Sequence, residues 1–516
     1  MRLTKGYNKV RAMRRGLLAL LFLLSLATAG AKTRIMLISD PHVMGPGLLI
    51  SEGEAWENAI YYDRKLNDYS RAIFDEVIAI ALKEKPELFL ISGDLTKDGE
   101  WLSHKYVVSK LYELKAVGIQ PFVIPGNHDL GTPEALYFDG DDSYKADTIN
   151  AKQFAELYRD FGYGEGSERE ATTLSWCCEP IDGLVLIGLD TGHDGDPLNG
   201  VVSTTTLRWM SEQAKKATKA GKRVLMMMHH TLFPHVTNTE KFSSTYCVKL
   251  GVKRDDGSYS YYGYSDIRDY LADAGGAVVL SGHVHASDIA KDANYNFTRT
   301  VHDICTASCA AFPNPYRLLT LNDDGATMRI QTRYITELPG VDDFAALAEE
   351  RMTQGLVNLV NNISHSLEVA ELFADIFKIH VAGNEPENPR QQEFLMKYEE
   401  ELPRMKENVM INNYLTAYGV TFDELTQMVH SMLEDKSYYG NPARESLDDD
   451  LNTTIPVHGD GWTAIRGVKV GDRRQESGDR SREEWYTLQG VKTAKPGRKG
   501  VYIHKDASGT QLIHNK

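Results

Sequence analysis

The chain has 516 residues, of which 42% are hydrophobic and 25% charged, and its formal net charge is −15. This length allows two to four domains, and the composition is that of an ordinary globular protein. The acidic balance argues against a nucleic-acid-binding surface, which requires a basic patch.

The first 31 residues are typical of a secretory signal peptide. Six basic residues lie within the first 15 positions, residues 16–26 are rich in leucine, and small residues follow at Ala27, Ala29 and Ala31. An uncleaved membrane anchor is the alternative, but the apolar run is shorter than the roughly 20 residues that a membrane span needs. We therefore expect cleavage and export, with no transmembrane segment left after cleavage. Removing the six basic residues would change the net charge from −15 to −21.

From residue 33 to about 335, apolar runs that indicate buried strands alternate with helical patterns. Helical stripes over residues 68–84, 101–116, 209–220 and 267–274 each lead into such a run. Residues 316–321 and 327–332 are typical of two antiparallel strands joined by a turn. The predicted class is therefore a layered α/β fold, with sheet covered by helices.

Five short polar motifs each follow one of the apolar runs. In chain order they are Asp40-Pro41-His42, Gly93-Asp94, Gly126-Asn127-His128-Asp129, His229-His230 and Gly282-His283-Val284-His285. Because α/β sheets build their sites at the carboxyl ends of strands, we expect these side chains to gather in one place. Carboxylate, amide and imidazole groups together suit one or two divalent metal ions.

The ordered motifs resemble those of the calcineurin-like metallophosphoesterase family over about residues 33–335. The resemblance implies a layered β-sandwich flanked by helices. The predicted division is a signal peptide (1–31), a metallophosphoesterase domain (32–340), an all-helical appendage (341–450) that packs on this domain, and a small β tail (451–516). Within the appendage, residues 390–408 and 412–435 are predicted helices and residues 445–450 a linker.

The resemblance also implies a dinuclear metal centre. One ion would be held by Asp40, His42, Asp94 and His285, and the other by Asp94, Asn127, His229 and His283, with Asp94 bridging. The ions would be Fe, Mn or Zn, and the residues do not choose between them. A water activated by the metals would attack the phosphorus atom.

The third motif supplies the expected acid–base group. In the resemblance, His128 would act either as general acid on the leaving oxygen or as a cationic donor to the phosphoryl oxygen, and Asp129 would orient His128. His229 and His230 compete for one ligand position, and the place directly after the strand favours His229. His230 is then either a substrate or outer contact or simple packing.

Five cysteines remain, at positions 177, 178, 247, 305 and 309. Export permits disulfides, but an odd number leaves at least one thiol outside an internal bridge. We expect a structural role, in which one or two bridges can form and the pairing is not defined.

The C-terminal tail is similar to tails on exported proteins of the Bacteroidetes. The segments that carry this likeness are Tyr486-Thr487-Leu488-Gln489-Gly490 and residues 497–503. The likeness implies export machinery or cell-surface attachment as the tail's partner and a periplasmic, cell-surface or secreted bacterial protein. The alternative is a small β module with no targeting role.

Three functions fit these patterns. The first is a phosphodiesterase acting on a small phosphate ester, the second a phosphomonoesterase of the nucleotidase or acid phosphatase type, and the third a catalytically inactive metal-containing binding protein. The third fits least, because His128 and all expected ligands are present. We favour the diesterase, because Asp129 stands where nucleotidases carry a glutamate after the Gly-Asn-His motif.

Overall fold

The computed structural model describes residues 32–192, 200–242, 246–254, 256, 258–296, 298–322, 325–435, 444–446 and 449–457, and the backbone of four short strands beyond 483. The predicted signal peptide lies outside the described residues. Within the described residues, no helix has both the length and the hydrophobicity needed to cross a membrane.

Two large sheets form the body of the protein. The first sheet has six strands, in the spatial order Asn452–Pro456, Thr327–Tyr334, Pro315–Leu321, Thr33–Ile38, Leu88–Ile91 and Gln120–Val123. The second sheet has eight strands, in the order Arg444–Ser446, Asp288–Ala293, Thr300–Cys305, Val278–Ser281, Arg223–Met228, Leu184–Leu189, Trp176–Ile181 and Glu168–Arg169. The strands that carry the five motifs run parallel within their sheets.

The two sheets pack face to face, and helices cover their outer faces. Along Arg223–Met228, Leu225 and Met227 join the core shared with the first sheet, while Met226 and Met228 join a second core beneath the outer helices. This alternation follows from the two-residue period of a strand buried on both faces. The structure therefore confirms the predicted layered α/β sandwich flanked by helices.

Helices and small sheets complete this part of the chain. The helices are Glu54–Ile60, Ser70–Glu84, Trp101–Ala116, Ala151–Leu157, Thr204–Lys219, Thr239–Phe242 and Ser265–Asp273, with a 3₁₀ turn at Arg159–Phe161. One small sheet contains Leu49–Ser51, Leu136–Asp139 and Asp142–Lys145, and another contains Val201–Ser203, Lys249–Lys253 and Tyr259–Tyr262.

The chain after residue 340 is helical up to residue 433. The helices are Phe344–Ser364, Leu367–Ala382, Gln391–Glu407, Val409–Ala417 and Phe422–Leu433, with a 3₁₀ turn at Glu385–Glu387. They share an apolar core, which also includes Val236 from the preceding part of the chain. Arg351 forms a bidentate ion pair with Asp68, both contacts at 3.0 Å, and so ties the first of these helices to the main body.

The segment predicted as a linker is instead part of the body. Arg444–Ser446 pairs with Asp288–Ala293, and Asn452–Pro456 pairs with Thr327–Tyr334 at the edge of the first sheet. Between these strands, Asp450 is fully buried, and its carboxylate accepts a hydrogen bond of 2.6 Å from the Ile289 backbone N–H. The linker prediction for 445–450 was therefore wrong, and the strand at 452–456 belongs to the first sheet although it lies in the predicted tail.

The rest of the tail contains a separate antiparallel sheet. Its strands follow the order Lys492–Thr493, Glu484–Thr487, Gly500–Asp506 and Gly509–Asn515. The disulfide expectation is not met by Cys177, Cys178, Cys305 or Cys309, which are free thiols.

Candidate metal centre

The motif residues meet where the carboxyl ends of strands from both sheets come together. Asp40, Asp94 and Asn127 follow strands of the first sheet, and His229 and His283 follow strands of the second. A site built across two packed sheets draws its ligands from rigid elements, which keeps their positions defined.

Four of the predicted ligands form one compact cluster. Ligand atoms of Asp40, His42, Asp94 and His285 all lie within 4.8 Å of one another. The Nε2 atoms of His42 and His285 are 3.2 Å apart, and His42 Nε2 lies 3.6 Å from Asp94 Oδ2. These are the four side chains that were expected to share the first metal ion.

The remaining predicted ligands lie on the other side of Asp94. His229 Nε2 is 3.3 Å from Asp94 Oδ2 and 3.0 Å from Asn127 Oδ1. The His283 ring packs edge-on against the His229 ring, with 5.1 Å between their centroids. Asp94 Oδ2 therefore lies between the two groups, as a bridging carboxylate must.

His229, and not His230, faces the other ligands. The Nδ1 atom of His229 lies 2.9 Å from the Ser92 carbonyl oxygen, which orients Nε2 toward Asn127 and Asp94. His230 Nδ1 instead lies 2.8 Å from the Thr191 hydroxyl, and its ring packs on His283 at 4.2 Å.

The backbone at the cluster is held in an unfavourable conformation. Five of the predicted ligands have a positive φ, at 50° for Asp40, 40° for His42, 47° for Asp94, 70° for His283 and 56° for His285. Residues other than glycine rarely adopt this region, and such strain concentrates at functional sites. The surrounding fold therefore fixes these side chains at an energetic cost.

Two motif glycines make room for the ligands. A Cβ atom at Gly93 would collide with the His229 ring, and one at Gly126 would collide with the Asp94 carboxylate. Glycine is therefore required directly before Asp94 and Asn127 for steric reasons, because the side chain of another predicted ligand lies against the backbone at each of these positions.

The donor set fits metal ions. Asp40 Oδ1 is buried without a hydrogen-bond donor, yet it lies 3.2 Å from His285 Nε2 and 4.0 Å from His42 Nε2. A buried carboxylate oxygen that faces imidazole nitrogens and lacks a donor is costly, and a cation shared by these atoms removes the cost.

The protonation states of His42, His283 and Asp94 favour ligation. Burial, reinforced by repulsion from His229, lowers the pKa of His283 to about 3, and burial also holds the pKa of His42 well below its usual range. Burial would raise the pKa of Asp94, but the neighbouring His229 and His128 outweigh it and hold that pKa well below its usual range. Neutral imidazole and ionised carboxylate are the forms that bind metal.

His128 lies at the edge of the cluster, and its orienting partner differs from the predicted one. His128 Nδ1 is 2.8 Å from Asp98 Oδ1. The Asp129 carboxylate instead accepts hydrogen bonds from the backbone N–H groups of Leu95, Thr96 and Gly126. The expectation that Asp129 orients His128 was therefore wrong, because Asp129 is fully buried beneath the loop that follows Leu88–Ile91.

Asp98 had no signal of its own in the sequence. It lies four positions after Asp94, in the same loop, and nothing in the amino-acid sequence distinguishes it from a solvent-exposed aspartate. Arg64 and Lys65 belong to none of the five motifs, yet they line the same cavity as Asp94 and His128.

Comparison with known proteins supports a phosphoesterase domain. Residues 33–287 match the family described as Calcineurin-like phosphoesterase. A relative from Arcobacter nitrofigilis, described as a probable glycerophosphodiester phosphodiesterase GpdQ, is 25% identical over 253 residues, which are 49% of this chain and 71% of that protein.

Two solved structures also match parts of this chain. A dimetal phosphatase from Danio rerio matches 58% of this chain and 96% of its own chain, with 14% identity and a TM-score of 0.41. GAP50, described as the anchor in the inner membrane complex of Plasmodium, matches 63% of this chain and 95% of its own chain, with 10% identity and a TM-score of 0.30. The family match and the Arcobacter relative agree with the ligand cluster: residues 33–287 resemble the calcineurin-like phosphoesterase family, and the chain is a metal-dependent phosphoric ester hydrolase.

Proposed function

We propose that this chain is a phosphodiesterase that uses two metal ions at the junction of its two sheets. The observation that carries the proposal is the buried cluster of Asp40, His42, Asp94 and His285, with His229 and Asn127 on the far side of Asp94. When bound, two such ions supply an activated water and positive charge for the phosphoryl group.

The remaining chemistry is assigned to residues of the chain. His128 donates a proton from Nε2 to the leaving oxygen, because Nδ1 is engaged by Asp98. Burial would lower the pKa of His128, but the carboxylates of Asp94 and Asp98 outweigh it and raise that pKa, which favours the proton-bearing form. Lys65, and Arg64 beside it, add positive charge in the cavity that the substrate's phosphate would enter.

Two observations support a diester over a monoester. The Arcobacter relative is described as a probable glycerophosphodiester phosphodiesterase. The cavity that contains His128 and His283 also extends away from the cluster for a total of about 540 Å³, which leaves room for a second ester group. The metals in this proposal are Fe, Mn or Zn.

The test is hydrolysis of an aromatic phosphodiester beside the matching monoester by the Mn-loaded protein, compared as kcat/KM. We expect a higher value for the diester. Preference for the monoester would move the chain to the phosphatase class, and no turnover of either ester by protein that holds metal would support the binding-protein alternative.

His128 can be tested separately. His128→Ala should keep the bound metal and lose rate, most strongly on a diester with a poor leaving group, because such a group needs the proton in the transition state. Full activity of this variant on an alkyl leaving group would remove the general-acid assignment.

We also propose that the protein is exported by a bacterium and that the C-terminal tail takes part in sorting or attachment. The signal-like residues 1–31 and the tail motif around Tyr486 support this. The N-terminal sequence of the protein from cells should begin near residue 32, and removing residues after 483 should move it from the surface to the medium or periplasm. An intact N-terminus beginning at Met1 would contradict export by cleavage.

A further inference from the structure

A single cavity connects the metal centre with the interior of the helical segment. Its volume is about 540 Å³, within the range of sites for small organic ligands. Asp94, His128 and His283 line one end. Helices between Phe344 and Leu433 line the other.

The far end of the cavity is apolar. Its walls include Leu356, Val360, Phe373, Phe377 and Met428, which come from three different helices. These residues belong to or pack against the apolar clusters that hold the helical segment together. Ser364, His380 and Tyr414 also line the cavity, but its walls are predominantly aliphatic and aromatic, which favours a flexible hydrocarbon.

The near end carries positive charge. Arg64 and Lys65 line the cavity beside the metal ligands. Among the described residues, Lys65 pairs with the carboxylate of Asp63 at 3.9 Å, which is a weak contact. An anionic group at this end would therefore meet two cationic side chains as well as the metal ions.

The cavity is thus amphipathic along its length, and its occupant must share this polarity. We propose that the substrate is a phosphodiester of an amphipathic lipid, whose phosphate lies at the metal centre and whose straight aliphatic chain fills the apolar end between the helices. This inference rests on the proposed phosphodiesterase function and names its substrate class.

The helical segment then has a role in specificity. The main body supplies the metal ligands, and the helices supply the apolar walls that select a substrate with an aliphatic chain. A small water-soluble diester would leave the apolar end filled only by water, which such walls hold poorly.

The first experiment uses p-nitrophenyl phosphodiesters whose second substituent is an alkyl chain of increasing length, each below its micelle-forming concentration. Burial of one methylene group strengthens the binding constant by up to roughly fourfold. The value of kcat/KM should therefore rise steadily with the length of the alkyl chain until the cavity is full. Bis(p-nitrophenyl) phosphate serves as the short control.

The outcomes separate the two proposals. A steady rise supports the lipid substrate. Hydrolysis of the control with no dependence on chain length overturns the lipid substrate and leaves the phosphodiesterase intact. No hydrolysis of any diester by metal-loaded protein overturns the phosphodiesterase itself.

A variant tests whether the chain enters this cavity. Leu359 lines it and is 37% exposed, so Leu359→Trp should narrow it with little effect on the core. We expect the ratio of kcat/KM for the longest to the shortest diester to fall at least tenfold. The matched control is Met396→Trp, on the helix Gln391–Glu407, because Met396 is 58% exposed and is not a cavity residue; it should keep the wild-type ratio. If both variants kept the same ratio of kcat/KM for the longest to the shortest diester, the alkyl chain of the substrate would not enter this cavity.

Binding can be measured without turnover. A long-chain alkylphosphonate should raise the melting temperature of the metal-loaded protein more than methylphosphonate does, and Leu359→Trp should abolish the difference. Equal shifts for the two phosphonates in the wild-type protein would overturn the proposal.

Discussion

The contact between His128 and Asp98 is one feature of the site that the sequence motifs do not reveal. The Gly-Asn-His-Asp motif places a carboxylate directly after the histidine, and adjacency suggested a pair. In the structure the side chains of His128 and Asp129 point in different directions, because the Asp129 carboxylate turns inward and accepts hydrogen bonds from three backbone N–H groups. Asp98 reaches His128 from a neighbouring loop instead.

Asp98→Asn should lower kcat by roughly 10- to 100-fold, because the amide no longer stabilises the charged imidazole. The loss should be larger for an alkyl leaving group than for p-nitrophenolate, which needs no proton. Asp129→Asn is the matched control, and we expect it to lower the melting temperature rather than to change the dependence on the leaving group. An unchanged rate for Asp98→Asn on the alkyl leaving group would contradict the assignment.

Metal affinity should depend on pH through His229. Burial would lower the pKa of His229, but Asp94 and Asp40 outweigh it and raise the pKa to about 9 in the metal-free protein. This proton must leave before the imidazole binds metal, so affinity should rise about tenfold per pH unit between pH 6.5 and 9. Chelator competition across this range measures the slope, and a flat profile would show that His229 is not a ligand.

The regular elements were largely predictable from hydrophobic periodicity. The pattern at 101–116 coincides with the helix Trp101–Ala116, and the predicted closing strands lie within Pro315–Leu321 and Thr327–Tyr334. The spacing of apolar residues shows whether one face or both faces of a helix or strand are buried, and this spacing can be seen in the local sequence. The predicted helix at 412–435 is in fact two, Val409–Ala417 and Phe422–Leu433, which are separated at Gly419 with a φ of 64°.

The segment around Asp450 could not be predicted in this way. Three consecutive acids at 448–450 are typical of a solvated linker. Burial of Asp450 depends on partners more than 130 positions away, since the Arg317 guanidinium donates to its carbonyl oxygen at 2.6 Å and the Ile289 N–H donates to its carboxylate. Long-range pairing of this kind leaves no local pattern.

Asp450→Ala should lower the free energy of unfolding by about 1–3 kcal/mol, because it leaves the buried Ile289 N–H without an acceptor. Urea denaturation measures the change. The exposed Glu400→Ala is the control and should stay within about 0.5 kcal/mol of the wild type. A neutral result for Asp450→Ala would mean that the C-terminal strand contributes little to the body.

A buried charge cluster should make stability depend on pH. His235 lies between Asp288 and Asp303, with ring nitrogens 2.9 Å and 3.2 Å from their carboxylates. Burial would lower the pKa of His235, but the two carboxylates outweigh it and raise the pKa to about 10. The folded state therefore binds this proton more tightly than the unfolded state, whose pKa is about 6.5.

The stabilisation from His235 is complete below about pH 6.5 and is lost as the pH rises toward 10. The difference in unfolding free energy between the wild type and His235→Gln should therefore shrink from pH 6.5 to pH 10. Denaturant unfolding at several pH values measures it. A difference that stays constant or grows with pH would contradict the ion pairs.

For the molecule as a whole, two sheets bring five distant motifs to one point, and the helical segment extends the resulting site. The candidate ligand set could be predicted from the motifs, because each motif combines a strand end with a donor side chain. The cavity did not follow from them, because its walls arise only when helices from residues 344–433 pack over Arg64 and Lys65. Packing between remote elements determines the shape of the site, and hence its selectivity, without a sequence motif.

The most direct test of the dinuclear centre is the metal content of purified protein, measured by mass spectrometry together with phosphodiesterase activity, for the wild type and for Asp94→Asn. Because Asp94 lies between both ligand groups, we expect two metal ions per chain in the wild type, and fewer than one in the variant with activity lost in parallel. Two retained ions in an active Asp94→Asn protein, or a wild-type protein that hydrolyses esters without metal, would contradict this account.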